Sequence, residues 1–127
     1  MTADDVDVTS LEEAPTLSRG DGVVSRLLHG AGDGVGDTDL TVTWVTVEPG
    51  SAQDRHGHPP EQVYVVVAGE GRMHVDGDER RVVAGDLVHV PSGAEHGVEN
   101  DGDAPLVYVS AATPAIDPDA VDDFYEA

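Results

Sequence analysis

The stretch RHGHPPEQVYVVVAG, residues 55–69, combines two histidines, a pair of prolines and an apolar run. Alternate side chains of an extended segment point to the same side, so His56 and His58 are predicted to face one cavity. Gln62 is an even number of residues from His58 and starts the alternation of the apolar run, whereas Glu61 belongs to the opposite face. Because the prolines interrupt this alternation, either residue could be the third polar group of the cavity, and Gln62 is favoured.

On both sides of this run, the chain consists of short apolar segments separated by turn residues. The predicted strands are residues 22–28, 40–48, 62–68, 72–76, 79–83, 87–90, 95–99 and 105–112. No amphipathic helical pattern lies between them, which favours an all-β sandwich or barrel over parallel βαβ units. Asp76-Gly77 is a pair that readily adopts positive φ, so a tight hairpin turn is predicted there.

The two ends of the chain and one loop depart from the strand pattern. Residues 1–15 are acidic with little periodicity, so they are predicted to form an arm or a weakly held first strand before a single domain over residues 16–127. In DPDAVDDFYEA, residues 117–127, an aspartate N-cap followed by proline predicts a short C-terminal helix. The stretch GAGDGVGD, residues 30–37, precedes a predicted strand instead of a helix, which favours a surface loop over a phosphate-binding loop.

The composition disfavours several classes of partner. The chain has 26 acidic residues against six basic ones, all arginine, and a formal net charge of −20. Nucleic acids and anionic membranes are bound through basic side chains, so both are disfavoured. The composition resembles that of cytosolic proteins from salt-in halophilic archaea, in which molar salt screens the repulsion. The chain has no cysteine, no recognisable signal peptide and no apolar run long enough to span a bilayer, so a soluble cytoplasmic protein is predicted.

Two motifs connect the chain to a known family. The stretch from Gly50 to Gly69 resembles the first cupin motif, G-x5-H-x-H-x3-4-E-x6-G, with Gln62 in the glutamate position. The stretch GDLVHVPSGAEHGVEN, residues 85–100, matches the second cupin motif, G-x5-P-x-G-x2-H-x3-N, at every fixed position. Residues 70–84 separate the motifs, a short spacing that is similar to that of compact cupins.

This resemblance implies a jelly-roll β-barrel that holds one divalent transition metal: Mn, Fe, Ni or Zn. Carried over position by position, the ligands would be His56, His58, Gln62 and His96. Because glutamine binds through a neutral carbonyl oxygen, the metal would keep its full charge and act as a stronger Lewis acid toward an anionic ligand. Small cupins usually pair through their outer sheets, so the resemblance also implies a homodimer.

The alternation of the strands predicts further pocket residues, with core packing as the alternative role. These residues are Tyr64, Val66 and Val98, and His74 is a further candidate. His74 belongs to neither cupin motif and could face either side of its strand. Asn100 is expected to tie a turn through its side-chain amide without contacting the metal.

The leading functional hypothesis is a metal-dependent enzyme that acts on a small oxygenated anion, of the uronate or sugar-acid isomerase or lyase type. This type follows from the resemblance to cupins with glutamine in the same position. The alternatives are a non-haem metal dioxygenase and a non-catalytic cupin that binds a sugar or another small molecule. Beyond His74, Tyr64 or a carboxylate whose orientation the sequence does not fix, no general base is evident, so no catalytic residue is assigned.

Overall fold

The computed structural model of the protein describes residues 8–20, 22–30 and 38–114, and the regular structure in them is β-strand. The strands are β1 (Thr16–Gly20), β2 (Val23–His29), β3 (Thr41–Val47), β4 (Ala52–His56), β5 (Glu61–Ala68), β6 (Glu70–Val75), β7 (Asp78–Val83), β8 (Leu87–Val90), β9 (His96–Glu99) and β10 (Leu106–Thr113). Residues 31–37 of the loop predicted at residues 30–37, and the helix predicted at residues 117–127, lie outside the described residues. Over the three described ranges, no helical segment has the length and hydrophobicity that a bilayer crossing needs.

The strands form two antiparallel sheets whose inner faces enclose one core. One sheet has six strands in the order β1-β2-β3-β10-β5-β8, and the other has four in the order β4-β9-β6-β7. Strands far apart in the chain pair directly, as β3 does with β10 and β4 with β9. Core residues from both sheets form a single hydrophobic cluster between them. This arrangement is a jelly-roll barrel, and the prediction of an all-β fold is confirmed.

The interior of the barrel changes from apolar to polar along the six-stranded sheet. At one end of β3 and β10, Val47 pairs with Leu106, and both side chains are fully buried. Nearer the other end, Thr43 pairs with Ser110, which in turn lies opposite Tyr64 of β5. Burial of the apolar end stabilises the barrel, whereas buried hydroxyl groups need hydrogen-bond partners. The polar end is therefore where an interior site is expected.

Most of the predicted strands agree with the structure. The eight predictions correspond to β2, β3 and β5–β10, with boundaries that differ by no more than two residues. The predicted hairpin turn is confirmed, since Asp76 and Gly77 have φ of 49° and 87°. Strands β1 (TLSRG) and β4 (AQDRH) were not predicted, because neither sequence alternates apolar with polar residues. Their pairing with β2 and β9 makes them extended, and that pairing is not visible in the local sequence.

Asn100 ties the connection between β9 and β10, as the sequence predicts. Its Nδ2 donates to the carbonyl oxygens of Val47 and Ala104, both at 2.8 Å. Its Oδ1 accepts a hydrogen bond from the backbone N–H of Gly102 at 2.9 Å. The side chain is buried, so these three bonds fix the loop against the end of β3.

Candidate metal site

A β-bulge in β4 directs two polar side chains into the barrel. Gln53 lies opposite Val98 and His56 lies opposite His96, although Gln53 and His56 are three residues apart and their partners only two. The extra residue breaks the alternation of the strand, as bulges do. As a result, Gln53 and His56 are both buried. In a regular strand, residues with this spacing would face opposite sides.

The loop after β4 is held by the turn that precedes β9. The backbone N–H of Gly93 donates to the carbonyl oxygen of His58 at 2.9 Å. The hydroxyl of Ser92 donates to the carbonyl oxygen of Pro59. Gly93 has a φ of 78°, a conformation that glycine adopts without strain. The two histidine-bearing segments are therefore fastened to each other through their backbones.

Three histidines converge inside the barrel. Each of His56, His58 and His96 offers a ring nitrogen, and these three atoms all lie within 4.8 Å of one another. The ring centroids are 5.6 Å apart for His56 and His58, 4.4 Å for His56 and His96, and 4.9 Å for His58 and His96. All three side chains are buried. This geometry can hold a single metal ion between the three rings.

Backbone carbonyl groups set the tautomer of two of these rings. Nδ1–H of His58 donates to the carbonyl oxygen of Pro60 at 3.0 Å, and Nδ1–H of His96 donates to that of Ala94 at 2.9 Å. In a neutral imidazole this leaves the lone pair on Nε2, and a carbonyl on the other ring nitrogen is the usual second partner of a metal-binding histidine. The fixed tautomers therefore match the requirements of metal ligands.

The electrostatics of His96 favour its neutral form. The pKa of His96 is lowered to about 4, mainly by burial and also by the nearby rings of His56 and His58, while the hydrogen bond to the carbonyl of Ala94 acts in the opposite direction. At neutral pH the ring therefore carries no charge. Neutral imidazole is the form that binds metals.

Gln62 and Glu61 face opposite sides of β5. Gln62 is buried, its Nε2 donates to the hydroxyl of Ser110, and its Oε1 has no hydrogen-bond partner among the described residues. Glu61 is exposed and lies 2.6 Å from Nε2 of His89 on β8. The alternation argument that favoured Gln62 thus agrees with the orientation of both side chains.

The donor set fits a divalent transition metal. Nε2 of His96 and Oε1 of Gln62 are buried, and neither has a hydrogen-bond partner among the described residues. Leaving a buried polar atom unsatisfied costs about 1–3 kcal/mol, so native structures rarely do so. Imidazole nitrogen and amide oxygen suit Mn, Fe, Ni and Zn. A metal bound by the three histidines would satisfy the nitrogen of His96.

Comparison with known proteins identifies the family. The family model described as "Cupin domain" matches residues 43–112, more than half of the chain. The protein belongs to the cupin family. The matched residues include the three histidines, Gln62 and the strands that carry them.

The proteins that are similar to this cupin include two curated relatives and one solved structure. It is 42% identical over 71 residues to the oxalate decarboxylase OxdC of Bacillus subtilis, which covers 51% of this chain and 18% of that protein. It is 35% identical over 63 residues to the oxalate-binding protein of Thermotoga maritima, which covers 49% of this chain and 52% of that protein. The chain thus spans about half, or less, of the length of these relatives. The structure of KdgF from Halomonas sp. has a TM-score of 0.75 at 19% identity over 88% of this chain and 96% of that one, which shows the shared fold.

Three of the predicted pocket residues lie in the interior of this cupin. Tyr64, Val66 and Val98 are buried and belong to the core cluster. The ring of Tyr64 lies 5.9 Å from that of His96 in an edge-on arrangement. Tyr64 and Gln62 are both buried on the inner face of β5, so Gln62 faces the same interior as the histidines. Val66 is two residues further along β5, in the apolar part of the core.

The structure does not bring His74 to the three histidines. Met73, its neighbour on β6, belongs to the core, so by alternation His74 points to the outer face of the four-stranded sheet. There its Nε2–H donates to Oε1 of Glu99 at 2.7 Å, and a guanidinium N–H of Arg55 donates to its Nδ1 at 3.2 Å. These contacts give His74 a place in a polar network outside the barrel.

Two interior residues were missed by sequence reasoning. Ser110 contacts Gln62, and Gln53 accepts hydrogen bonds from the hydroxyls of Tyr64 and Tyr108. Ser110 follows the alternation of β10, but its position opposite Tyr64 depends on the pairing of β10 with β5. Gln53 faces inward only because of the bulge in β4. Neither the pairing of β10 with β5 nor the bulge in β4 is visible in the local sequence.

Proposed function

We propose that this cupin holds one divalent transition metal (Mn, Fe, Ni or Zn) and binds a small oxygenated anion at that metal. The proposed ligands are His56, His58, Gln62 and His96. The proposal is supported by three buried ring nitrogens within 4.8 Å of one another and by the buried amide oxygen of Gln62. A bound metal would supply Lewis acidity toward an oxygen atom of the anion.

The charge balance of the site is the observation that supports an anionic ligand. Three neutral imidazoles and one neutral amide would leave the dipositive charge of the metal uncompensated. Among the side chains that the structure describes, the buried polar set contains no carboxylate. A buried charge is stable when it is paired, so an anion from solution would complete the site. The net charge of −20 opposes this only at longer range, where salt screens it.

The favoured chemistry is of the isomerase or lyase type on a uronate or another sugar acid. Such reactions need a polarised oxygen and ligand groups held in fixed positions. Here Ser110 orients the amide of Gln62, and backbone carbonyls orient the rings of His58 and His96. The ring of Tyr64 also lies close to this set, with its centroid 5.9 Å from that of His96.

Binding of oxalate or a similar dicarboxylate without turnover is the second candidate. It is favoured by the similarity to the oxalate-binding protein of Thermotoga maritima. It is also favoured by the lack of a buried carboxylate among the described side chains, because carboxylates are common general bases. Both candidates need the metal and an anionic ligand, and they differ in the anion that is favoured and in turnover.

Calorimetry on metal-loaded and metal-stripped protein tests the shared part of the proposal. Oxalate and a uronate should bind the loaded protein and not the stripped protein, with sodium chloride at equal ionic strength as the control. Equal binding to both forms would contradict the proposal. Turnover of the uronate, followed by NMR, selects the enzyme, and oxalate binding without any turnover selects the binding protein. Oxygen consumption with a catechol would select a dioxygenase instead.

We also propose that this cupin forms a homodimer through the outer face of the six-stranded sheet. Val65, Val67 and Leu87 lie on that face and are 38%, 45% and 60% exposed, which is unusual for a chain with a net charge of −20. Light scattering should give the mass of a dimer, and Val65→Asp should give a monomer. Val8, which is 84% exposed and lies outside the sheets, gives the matched control Val8→Asp. A monomeric wild-type chain at all concentrations would contradict the dimer.

A further inference from the structure

We propose that the side-chain amide of Gln53 is a second contact for the ligand of this cupin. Its two N–H groups would hold one oxygen of a carboxylate or hydroxy-carbonyl ligand whose other oxygen lies at the histidine cluster. The inference rests on the proposed binding of an anion at the metal, and it assigns the residue that orients this anion.

The orientation of the amide is fixed by two tyrosines. The hydroxyls of Tyr64 and Tyr108 donate to Oε1 of Gln53 at 3.3 and 3.1 Å. The two rings are stacked, with centroids 4.5 Å apart and an angle of 14° between their planes, and both are buried. Since the carbonyl end of the amide is occupied from two sides, the nitrogen end points away from the tyrosines.

The nitrogen end of this amide has no acceptor among the described residues. Gln53 is only 5% exposed, and its Nε2 makes no hydrogen bond within the part of the chain that the structure describes. Buried amide donors in native proteins are nearly always paired with a protein group, an ordered water or a ligand. A fixed donor pair without a protein acceptor is therefore a binding site for an oxygen atom.

The position of Gln53 relates this donor pair to the histidines. Gln53 and His56 face the interior from the same strand, opposite Val98 and His96 of β9. Two residues along a strand span about 7 Å, so the amide lies one inner position deeper than the His56–His96 pair. Tyr64 connects the two levels, because its hydroxyl contacts Gln53 and its ring contacts His96. A small ligand bound at the histidines would have the Gln53 amide beneath it.

The chemistry of the donors limits the ligand. The N–H groups of Gln53 can only donate, so the ligand group that meets them must be an acceptor such as a carboxylate or carbonyl oxygen. The ligand also needs an oxygen for the metal. A dicarboxylate or a 2-oxo or 2-hydroxy acid has both groups on neighbouring carbons, whereas an amine or a simple alcohol does not.

Substitution of Gln53 in the metal-loaded protein tests the assignment, with oxalate as the probe. Gln53→Leu removes the donors, and Gln53→Glu keeps the shape and the acceptor but replaces the donors with a negative charge. Both variants should retain one metal per chain and bind oxalate at least about ten-fold more weakly, with the larger loss for Gln53→Glu. Arg55→Gln makes the chain more negative by the same unit as Gln53→Glu, but Arg55 is exposed on the outer side, so oxalate affinity should not change.

The outcomes separate this assignment from the proposed function. Oxalate affinity equal to wild type in Gln53→Leu, with the metal retained, would show that the amide meets only water and would overturn the assignment alone. Failure of the metal-loaded wild type to bind either oxalate or the uronate would overturn the proposed function and this assignment together. Gln53→Glu provides the same comparison if Gln53→Leu does not fold.

Discussion

Ser110→Ala should weaken metal binding without touching a proposed ligand. The Ser110 hydroxyl accepts the N–H of the Gln62 amide, so its removal leaves a buried donor unsatisfied and the amide free to rotate. An unsatisfied buried donor costs about 1–3 kcal/mol, and loss of a group that orients a metal ligand typically lowers affinity about 10- to 100-fold, or about 1.4–2.8 kcal/mol. The cost of the unsatisfied donor and the expected loss of metal-binding free energy are therefore of similar size. Competition with a chelator of known affinity measures the change.

Ser25→Ala is the matched control for this experiment. Ser25 is also a buried serine on the inner side of the six-stranded sheet, but it lies on β2, two strands away from the β10 strand that carries Ser110. It should lower stability without changing metal affinity. Unchanged metal affinity in Ser110→Ala would refute the reasoning, because Gln62 would then bind the metal without its partner or would not bind it at all.

Three other changes have defined outcomes. Asn100→Ala removes three buried hydrogen bonds and should lower the free energy of unfolding by roughly 3 kcal/mol in urea titrations, with metal content retained; a loss below about 1 kcal/mol would contradict this. Gln62→Glu adds a carboxylate, so calorimetry should show metal bound at least as tightly and oxalate more weakly; unchanged values for both would exclude Gln62 as a ligand. With a net charge of −20, the melting temperature should rise from ~0.1 M to ~3 M KCl, and equal midpoints would rule out the halophile interpretation.

The parts of the fold that local patterning specifies could be predicted from the sequence. Strands such as β3 and β10 alternate buried and partly buried residues along their whole length, so their apolar positions are visible in the sequence. The hairpin at Asp76-Gly77 was predictable because few residue pairs adopt positive φ readily. Strand β4 was not predictable, because AQDRH is polar and is extended only through its pairing with β9.

Local patterning likewise predicted only part of the candidate site. The inward orientation of Gln62 and the outward orientation of Glu61 follow from alternation along one strand. The grouping of the three histidines was expected from the motif resemblance, whereas the contacts of Gln53 and Ser110 depend on a bulge and on strand pairing. The outward orientation of His74 likewise depends on which face of β6 meets the core. The surroundings of Gln53, Ser110 and His74 therefore depend on how distant strands pair and pack. The local sequence does not specify this pairing.

Metal content of the purified protein tests the central claim most directly. Wild-type protein prepared without chelator and the double variant His58→Ala/His96→Ala would be compared by elemental analysis, with circular dichroism to confirm that both are folded. The two histidines supply two of the three ring nitrogens that lie within 4.8 Å of one another, so their loss should abolish the site. We expect close to one Mn, Fe, Ni or Zn per wild-type chain and none in the folded double variant. Equal metal content in the two proteins would contradict the account, because the metal would then bind elsewhere.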